Sequence, residues 1–277
     1  MTPRDALPAA VARLKAAGVP DAARDARLLL AHAVQVPADR LTLHLDDALA
    51  PDAATRLEAA LTARAARQPV SQIIGQRNFW GRYFKVTPEV LDPRPETEVL
   101  IAAALEEAFS RVLDLGTGSG AILLTLLAER GRARGLGVDQ SAPALRIAQE
   151  NAQALGVAAR CDWALSDWYD GVEGRFDLIV ANPPYLAAVE MPALAPETRD
   201  WEPAGALLGG ADGLDAYRAI AAGAPAHLAP GGRILLEIGP TQRAEVSELL
   251  AQAGLEEIGC RPDLDGRDRV VHARART

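Results

Sequence analysis

Val112-Leu113-Asp114-Leu115-Gly116-Thr117-Gly118-Ser119-Gly120-Ala121 is the stretch on which the fold turns. Apart from Asp114, residues 112–115 are apolar and β-prone, and they read as a buried strand. Glycines at 116, 118 and 120 then make a turn, and Ala121 opens an apolar run that reads as a helix. Glycine there permits positive φ and lets a ligand approach the backbone. The spacing is GxGxG, not the GxGxxG of the dinucleotide fingerprint, and a tight strand–helix turn without a ligand would use the same residues.

Downstream, short apolar runs alternate with helical stretches. Arg111–Leu115, Gly135–Val138, Phe176–Ala181 and Arg233–Ile238 read as strands. Helices are expected near Ala121–Arg130, Ala142–Leu155, Gly213–Ala222 and Gln242–Ala253. Leu255–Ile258 and Val270–Ala273 read as a closing strand pair. Such alternation predicts an α/β domain around a doubly wound, mostly parallel sheet, whose ligand crevice lies at the carboxyl ends of the strands. The second predicted strand ends in Gly137-Val138-Asp139. An acid there can accept hydrogen bonds from ribose hydroxyls, and it can equally cap the helix that follows. Together with the glycine turn it points to an adenosine-containing cofactor, with NAD and S-adenosylmethionine both open.

The third strand ends in Asn182-Pro183-Pro184-Tyr185. Two prolines fix φ and leave carbonyls without N–H donors. Asn182 adds an amide, and Tyr185 a flat aromatic face. Beside a cofactor crevice, such a turn can hold a planar –NH2 group by accepting both of its hydrogens.

Upstream the character differs. Residues 1–68 are Ala-rich and helical, with Thr2-Pro3 as a start signal and Gly18 as a stop. A second helix is expected over Asp21–Val34, and Pro37 and Pro51 punctuate two more, the last carrying Leu57 and Leu61. Residues 69–92 mix Ile73, Ile74, Phe79, Trp80, Tyr83, Phe84 and Val86 with Gly75 and Gly81, which suggests a hairpin linking the two domains. The expected domains are a helical bundle at 1–68, a hairpin linker at 69–92 and a catalytic domain at 93–277.

Composition excludes several chemistries. The chain of 277 residues has 29 Lys+Arg against 37 Asp+Glu, a net charge of −8. That balance argues against a broad electrostatic grip on nucleic acid. Cys161 and Cys260 form no CxxC pair, there is no HExxH, and neither Lys15 nor Lys85 completes a P-loop, so no metal site is expected. No apolar run is long enough to span a membrane and no secretory signal is apparent, so a reducing cytoplasm is expected.

In this order and spacing, DLGTGSG, GVD and NPPY resemble the class I S-adenosylmethionine-dependent methyltransferases that modify planar nitrogens. PVSQIIGQRNFWGRYFKVTPEVLDPRPETE (69–98), Ser166–Trp168, GGADGLDAYR (209–218) and GRDRVV (266–271) narrow the likeness to the peptide chain release factor glutamine methyltransferase family. The match runs from about residue 67 to the end; the first 66 residues resemble the family only as a helical bundle of suitable length. The resemblance implies a seven-stranded, Rossmann-like methyltransferase fold with S-adenosyl-L-methionine as cofactor. It implies methyl transfer to N5 of the glutamine in the Gly-Gly-Gln motif of release factors, a protein methylation that acts in translation termination. Gly116, Thr117, Gly118, Ser119 and Gly120 would line the methionine and ribose, and Asp139 would bind the ribose hydroxyls. Asp167 and Trp168 would flank the adenine. Asn182, Pro183, Pro184 and Tyr185 would hold the glutamine amide, with Asn182, Pro183 and Tyr185 as the catalytic set and Asn182 also touching the cofactor. Arg94 and Glu98, in PRPETE, are explained equally well by helix capping or an Arg–carboxylate pair. The bundle is expected to dock the release factor. Glutamine methylation of a ribosomal protein, or adenine-N6 methylation of nucleic acid, would use the same NPPY chemistry; a cofactor-binding scaffold without turnover would need a degenerate site, and these motifs are intact.

Overall fold

Thr2 begins the first helix with a reciprocal cap. Its hydroxyl accepts from the Asp5 N–H at 3.2 Å, and the Asp5 carboxylate accepts from the Thr2 N–H at 2.8 Å. The structure is a computed structural model describing residues 1–277. Its chain divides into two compact units, Met1–Gln76 with Ala195–Trp201, and Arg77–Leu194 with Glu202–Thr277.

The first unit is helical: α1 (Pro3–Ala16), α2 (Ala22–Val34), α3 (Pro51–Ala65), α4 (Val70–Ile74) and, from the inserted segment, α8 (Pro196–Arg199). Residues 38–44 form 3-10 turns between α2 and α3. Ala10, Leu14, Ala26, Leu29, Leu30, Leu41, Leu57 and Leu61 make its core. Small alanines bury little area each, and polar groups add specificity. The buried Arg64 Nε donates to Asp25 at 2.7 Å, and Arg64 Nη2 to Glu197 at 2.9 Å. Arg67 donates to the other Glu197 oxygen at 2.7 Å, and the Trp201 indole donates to the Ala66 carbonyl at 3.2 Å. These bonds, not sequence proximity, hold residues 195–201 in the helical unit. Arg64→Ala leaves Asp25 charged, buried and without its partner; the expected cost is about 3–5 kcal/mol in urea unfolding, and a loss below about 1 kcal/mol would contradict that role.

Ile73 and Ile74, expected in a hairpin, lie in α4. Pro69 and the left-handed Gly75 (φ 76°) bracket one short helix there instead. The hairpin is confined to β1 (Gln76–Phe79) and β2 (Arg82–Lys85), joined by Trp80 (φ 50°) and Gly81 (φ 71°). Positive φ at both positions matches the right-handed strand twist.

The second unit is built on a seven-stranded sheet in the order β5-β4-β3-β6-β7-β9-β8. Its strands are β3 (Arg111–Leu115), β4 (Arg134–Asp139), β5 (Cys161–Leu165), β6 (Phe176–Ala181), β7 (Leu228–Glu237), β8 (Glu256–Pro262) and β9 (Asp268–Arg274). β3 to β7 are parallel, and β9 runs antiparallel between β7 and β8. The helices are α5 (Glu98–Leu105), α6 (Ala121–Glu129), α7 (Ala142–Ala154), α9 (Asp215–His227) and α10 (Arg243–Gln252). One core contains Leu100, Leu123, Leu126, Val112 and Val180. The other contains Tyr217, Ile220, Leu113, Ile179 and Leu236. The strand order reverses between β3 and β6, which places the topological switch point between the glycine turn and NPPY.

Candidate active site

Register carries the two decisive motifs to one place. Leu115 of β3 pairs with Ala181 of β6, so Gly116 and Asn182 leave adjacent strands side by side. They line one cavity of about 190 Å³. Gly116 (φ 68°) and Gly118 (φ 54°) adopt left-handed backbone. A Cβ on Gly118 would meet nothing within 4 Å, and one on Gly116 only the Trp168 ring at 3.9 Å. The glycines therefore leave open space along the turn, as a backbone cradle for a ligand requires. Gly120 does not line the cavity. Its φ is 79°, and a Cβ would lie 2.9 Å from Leu124 and 3.2 Å from Ala148, so it lets α6 start close against α7.

Asp139, at the end of β4, accepts from Gly118 N–H at 2.9 Å with one oxygen and from Ser141 N–H at 2.8 Å with the other. The helix-cap role falls to Ser141, whose hydroxyl accepts from the Ala144 N–H at 3.2 Å. Asp139 therefore fixes the glycine turn to β4 and retains lone pairs toward the cavity it lines. Burial raises its pKa, against the two backbone bonds. Beneath the turn, the fully buried Asp114 accepts from the Thr117 hydroxyl at 2.7 Å and the Leu123 N–H at 3.3 Å. Burial pushes its pKa up to about 7, and the Asp139 charge adds to the rise.

Asp167 and Trp168 also line the cavity. The Ser166 hydroxyl donates within its own turn, near the Trp168 carbonyl (2.9 Å) and the Asp170 carbonyl (2.8 Å), and Trp168 sits at φ 49°. A non-glycine residue held there costs free energy that the surrounding turn must supply. Asn182 and Pro184 line the cavity; Pro183 and Tyr185 do not. Tyr185 packs partly buried against the core below, where burial raises its pKa, and its carbonyl accepts from Gln242 Nε2 at 2.9 Å.

Several lining residues carry no signal in sequence: Thr97 from the PRPETE segment, and Pro203, Gly205 and Ala206 from the loop before α9; Arg94, singled out in sequence with two alternative roles, lines it too. Arg94 pairs with the buried Glu202 at 2.6 Å, which selects the Arg–carboxylate alternative for it. Glu98 accepts from the Trp80 N–H at 2.9 Å and so anchors the hairpin turn. Asn151 of α7 accepts from the Lys85 N–H at 2.7 Å and donates to the Ser119 carbonyl at 2.9 Å. That single amide ties β2 to the glycine turn. An Asn inside an amphipathic helix carries no such signal in sequence.

Residues 5–75 match the PrmC N-terminal domain family, and residues 92–196 the Methyltransferase small domain family. A release factor glutamine methyltransferase of Cereibacter sphaeroides is 64% identical over 274 residues, covering 99% of this chain and 99% of that protein. The Rhodospirillum rubrum protein of the same name is 46% identical over 267 residues, covering 95% and 82%. A methyltransferase of Pyrococcus furiosus superposes with a TM-score of 0.57 at 16% identity, covering 81% of this chain and 100% of that one. The Thermus thermophilus 16S rRNA N2 G1207 methyltransferase, solved with AdoMet and guanosine, gives 0.54 at 24% identity, covering 73% and 50%. No helix is long and apolar enough to cross a membrane.

Proposed function

This chain belongs to the release factor glutamine methyltransferase family, and from that premise we propose that it transfers a methyl group from S-adenosylmethionine to the side-chain amide nitrogen of the glutamine in the Gly-Gly-Gln motif of peptide chain release factors. The observation that carries the reading is the placement of Asn182 beside the open glycine turn in one cavity at the switch point.

The lining residues fit the cofactor. Gly116, Thr117, Gly118 and Ser119 would receive its methionine and ribose against bare backbone, Asp139 the ribose hydroxyls, and Asp167 and Trp168 the adenine. S-adenosylmethionine supplies an electrophilic methyl on a positively charged sulfur. The chain's own part is orientation. A carboxamide nitrogen is a poor nucleophile, because its lone pair is shared with the carbonyl. With the Asn182 side-chain oxygen accepting one of its N–H groups, the nitrogen is aimed and its developing positive charge meets a fixed dipole. Holding reactants in line supplies roughly 7–11 kcal/mol in favourable cases. Tyr185 packs against the core and does not line the cavity.

The helical unit is proposed to dock the release factor, since one glutamine offers little surface for discriminating among proteins. Action on a translation factor places the proposed site of work in the cytoplasm. The test is transfer from methyl-labelled S-adenosylmethionine to purified release factor. Label should appear, and should vanish when the glutamine of Gly-Gly-Gln is changed. Label on a ribosomal protein or nucleic acid, and none on release factor, would overturn the substrate assignment.

A further inference from the structure

We propose that Gln242 is a positioning residue for this reaction: its side-chain amide, seated against Gly213, holds the Tyr185 carbonyl and thereby sets the NPPY turn that presents Asn182. The inference rests on the proposed methyl transfer to an amide nitrogen and adds to it the means by which the turn keeps its shape.

The turn has to be held from its two ends. Pro183 and Pro184 have no N–H to give, and their rings fix φ at both positions. The start is secured by the sheet, where Ala181 pairs with Leu115 of β3 and Leu236 of β7. The end is secured by Gln242, whose Nε2 donates to the Tyr185 carbonyl at 2.9 Å and to the Gly213 carbonyl at 3.1 Å. Gln242 Oε1 accepts from the Gly239 N–H at 3.0 Å. Donor counting leaves this amide one orientation. The two carbonyls only accept and the N–H only donates, so the NH2 faces the carbonyls and the oxygen faces Gly239. With φ fixed at 183 and 184, a carbonyl held at 185 restrains the backbone back to Asn182.

The place of Gln242 in its own helix supports the same reading. It is the N-cap residue of α10, a position favoured by Ser, Thr, Asp and Asn, whose short side chains bond back to the first turn. The Gln242 side chain makes no such cap bond. It reaches away from its helix and serves the turn instead.

The segment GGADGLDAYR (209–218) completes the clamp. Leu186 N–H donates to the Leu207 carbonyl at 3.0 Å, and Gly209 N–H to the Leu186 carbonyl at 2.9 Å, so the chain leaving the turn runs beside the start of this segment. A Cβ on Gly209 would lie 2.6 Å from the Pro184 carbonyl oxygen. One on Gly213 (φ 78°) would collide with the Tyr185 carbonyl oxygen and lie 2.9 Å from Gln242 Nε2. Glycine at 209 and 213 therefore lets this backbone close on the turn where a side chain would push it away.

The experiment uses the full chain and release factor. It measures kcat and the protein KM, the S-adenosylmethionine Kd by calorimetry, and urea unfolding, with rates taken well below each variant's thermal transition. The proteins are wild type, Gln242→Ser, Gln242→Glu, Asn182→Ala and the Asn182→Ala/Gln242→Glu pair. Serine is a favoured N-cap but too short to reach Tyr185, so Gln242→Ser should keep its stability while kcat falls about tenfold or more. Gln242→Glu keeps the length and the oxygen toward Gly239 but sets an acceptor against two carbonyls, and kcat should fall at least as far. Both should leave the cofactor Kd and the protein KM within about threefold of wild type. The pair should be within about twofold of Asn182→Ala alone, because Gln242 acts through Asn182. A kcat for Gln242→Ser within about twofold of wild type, or losses that multiply in the pair, would overturn the proposal. If wild type labels a ribosomal protein or nucleic acid and not release factor, the substrate reading falls, and the same comparison on the labelled substrate still decides the clamp.

Discussion

Asn182→Ala lowers the rate of methyl transfer to release factor by about 100-fold or more, while the fold and most of the cofactor affinity survive. On the proposed reading, the substitution removes the side-chain oxygen that would accept from the substrate amide, in a cavity where water would replace it poorly. Losing one preorganised hydrogen bond to a reacting centre costs roughly 2.7–4 kcal/mol of barrier. Asn182 is only part-buried and its one side-chain bond is to Thr97, so little stability should go with it. Single-turnover transfer, with the cofactor Kd measured in parallel, is the check. A rate within about threefold of wild type at unchanged cofactor affinity would remove Asn182 from the mechanism.

Asp139→Ala acts on the other half of the site. The S-adenosylmethionine Kd should rise by a hundredfold or more. The ribose hydroxyls would lose a charged acceptor, and each hydrogen bond to a charged group contributes about 1.5–3 kcal/mol; the turn also loses its acceptor for two backbone N–H groups, at 2.8 and 2.9 Å. Some 3 kcal/mol corresponds to roughly 150-fold in affinity. Asp139→Asn keeps one accepting oxygen and should fall between. Calorimetric titration decides it, and a Kd within about threefold of wild type would mean that the glycine turn holds itself. The pH dependence has a sign as well. Burial raises the Asp139 pKa, so the carboxylate proposed to bind the ribose is lost on acidification at a higher pH than for an exposed aspartate, and cofactor affinity should weaken correspondingly early.

The parts of this fold that were legible in sequence are those where one local pattern decides. β3 and β6 are buried on both faces and read as apolar runs, and both were placed to the residue. The glycine turn and NPPY carry backbone constraints that few other residues satisfy. β5 was missed because it is an edge strand: Cys161-Asp162-Trp163-Ala164-Leu165 is half-exposed, with an acid inside it, and has no apolar run to notice. Its one signal lay in the neighbouring strand, where Gly137 leaves the space that the Trp163 ring fills; a Cβ there would lie 2.6 Å from that ring. In the site, Asp139 and Asn182 were visible because the strand ends that carry them are visible. Thr97 and Glu202 were not, since their contacts exist only across elements far apart in the chain. Gly120, Pro183 and Tyr185 are expected from sequence to touch ligand, yet none of the three lines the cavity; Gly120 instead lets α6 start close against α7, and Tyr185 packs against the core.

Residues 195–201 belong with the helical unit although the chain around them belongs to the other. In terms of genetic exchange, that unit is not a cassette. A crossover near residue 76 would import a foreign bundle opposite a native Glu197, which reads Arg64 and Arg67 of its own bundle. A truncation there would strand the same glutamate with neither arginine. The two stretches must therefore be inherited or transplanted together, and a chimera that moves residues 1–76 should recover its stability only when 195–201 travel with them.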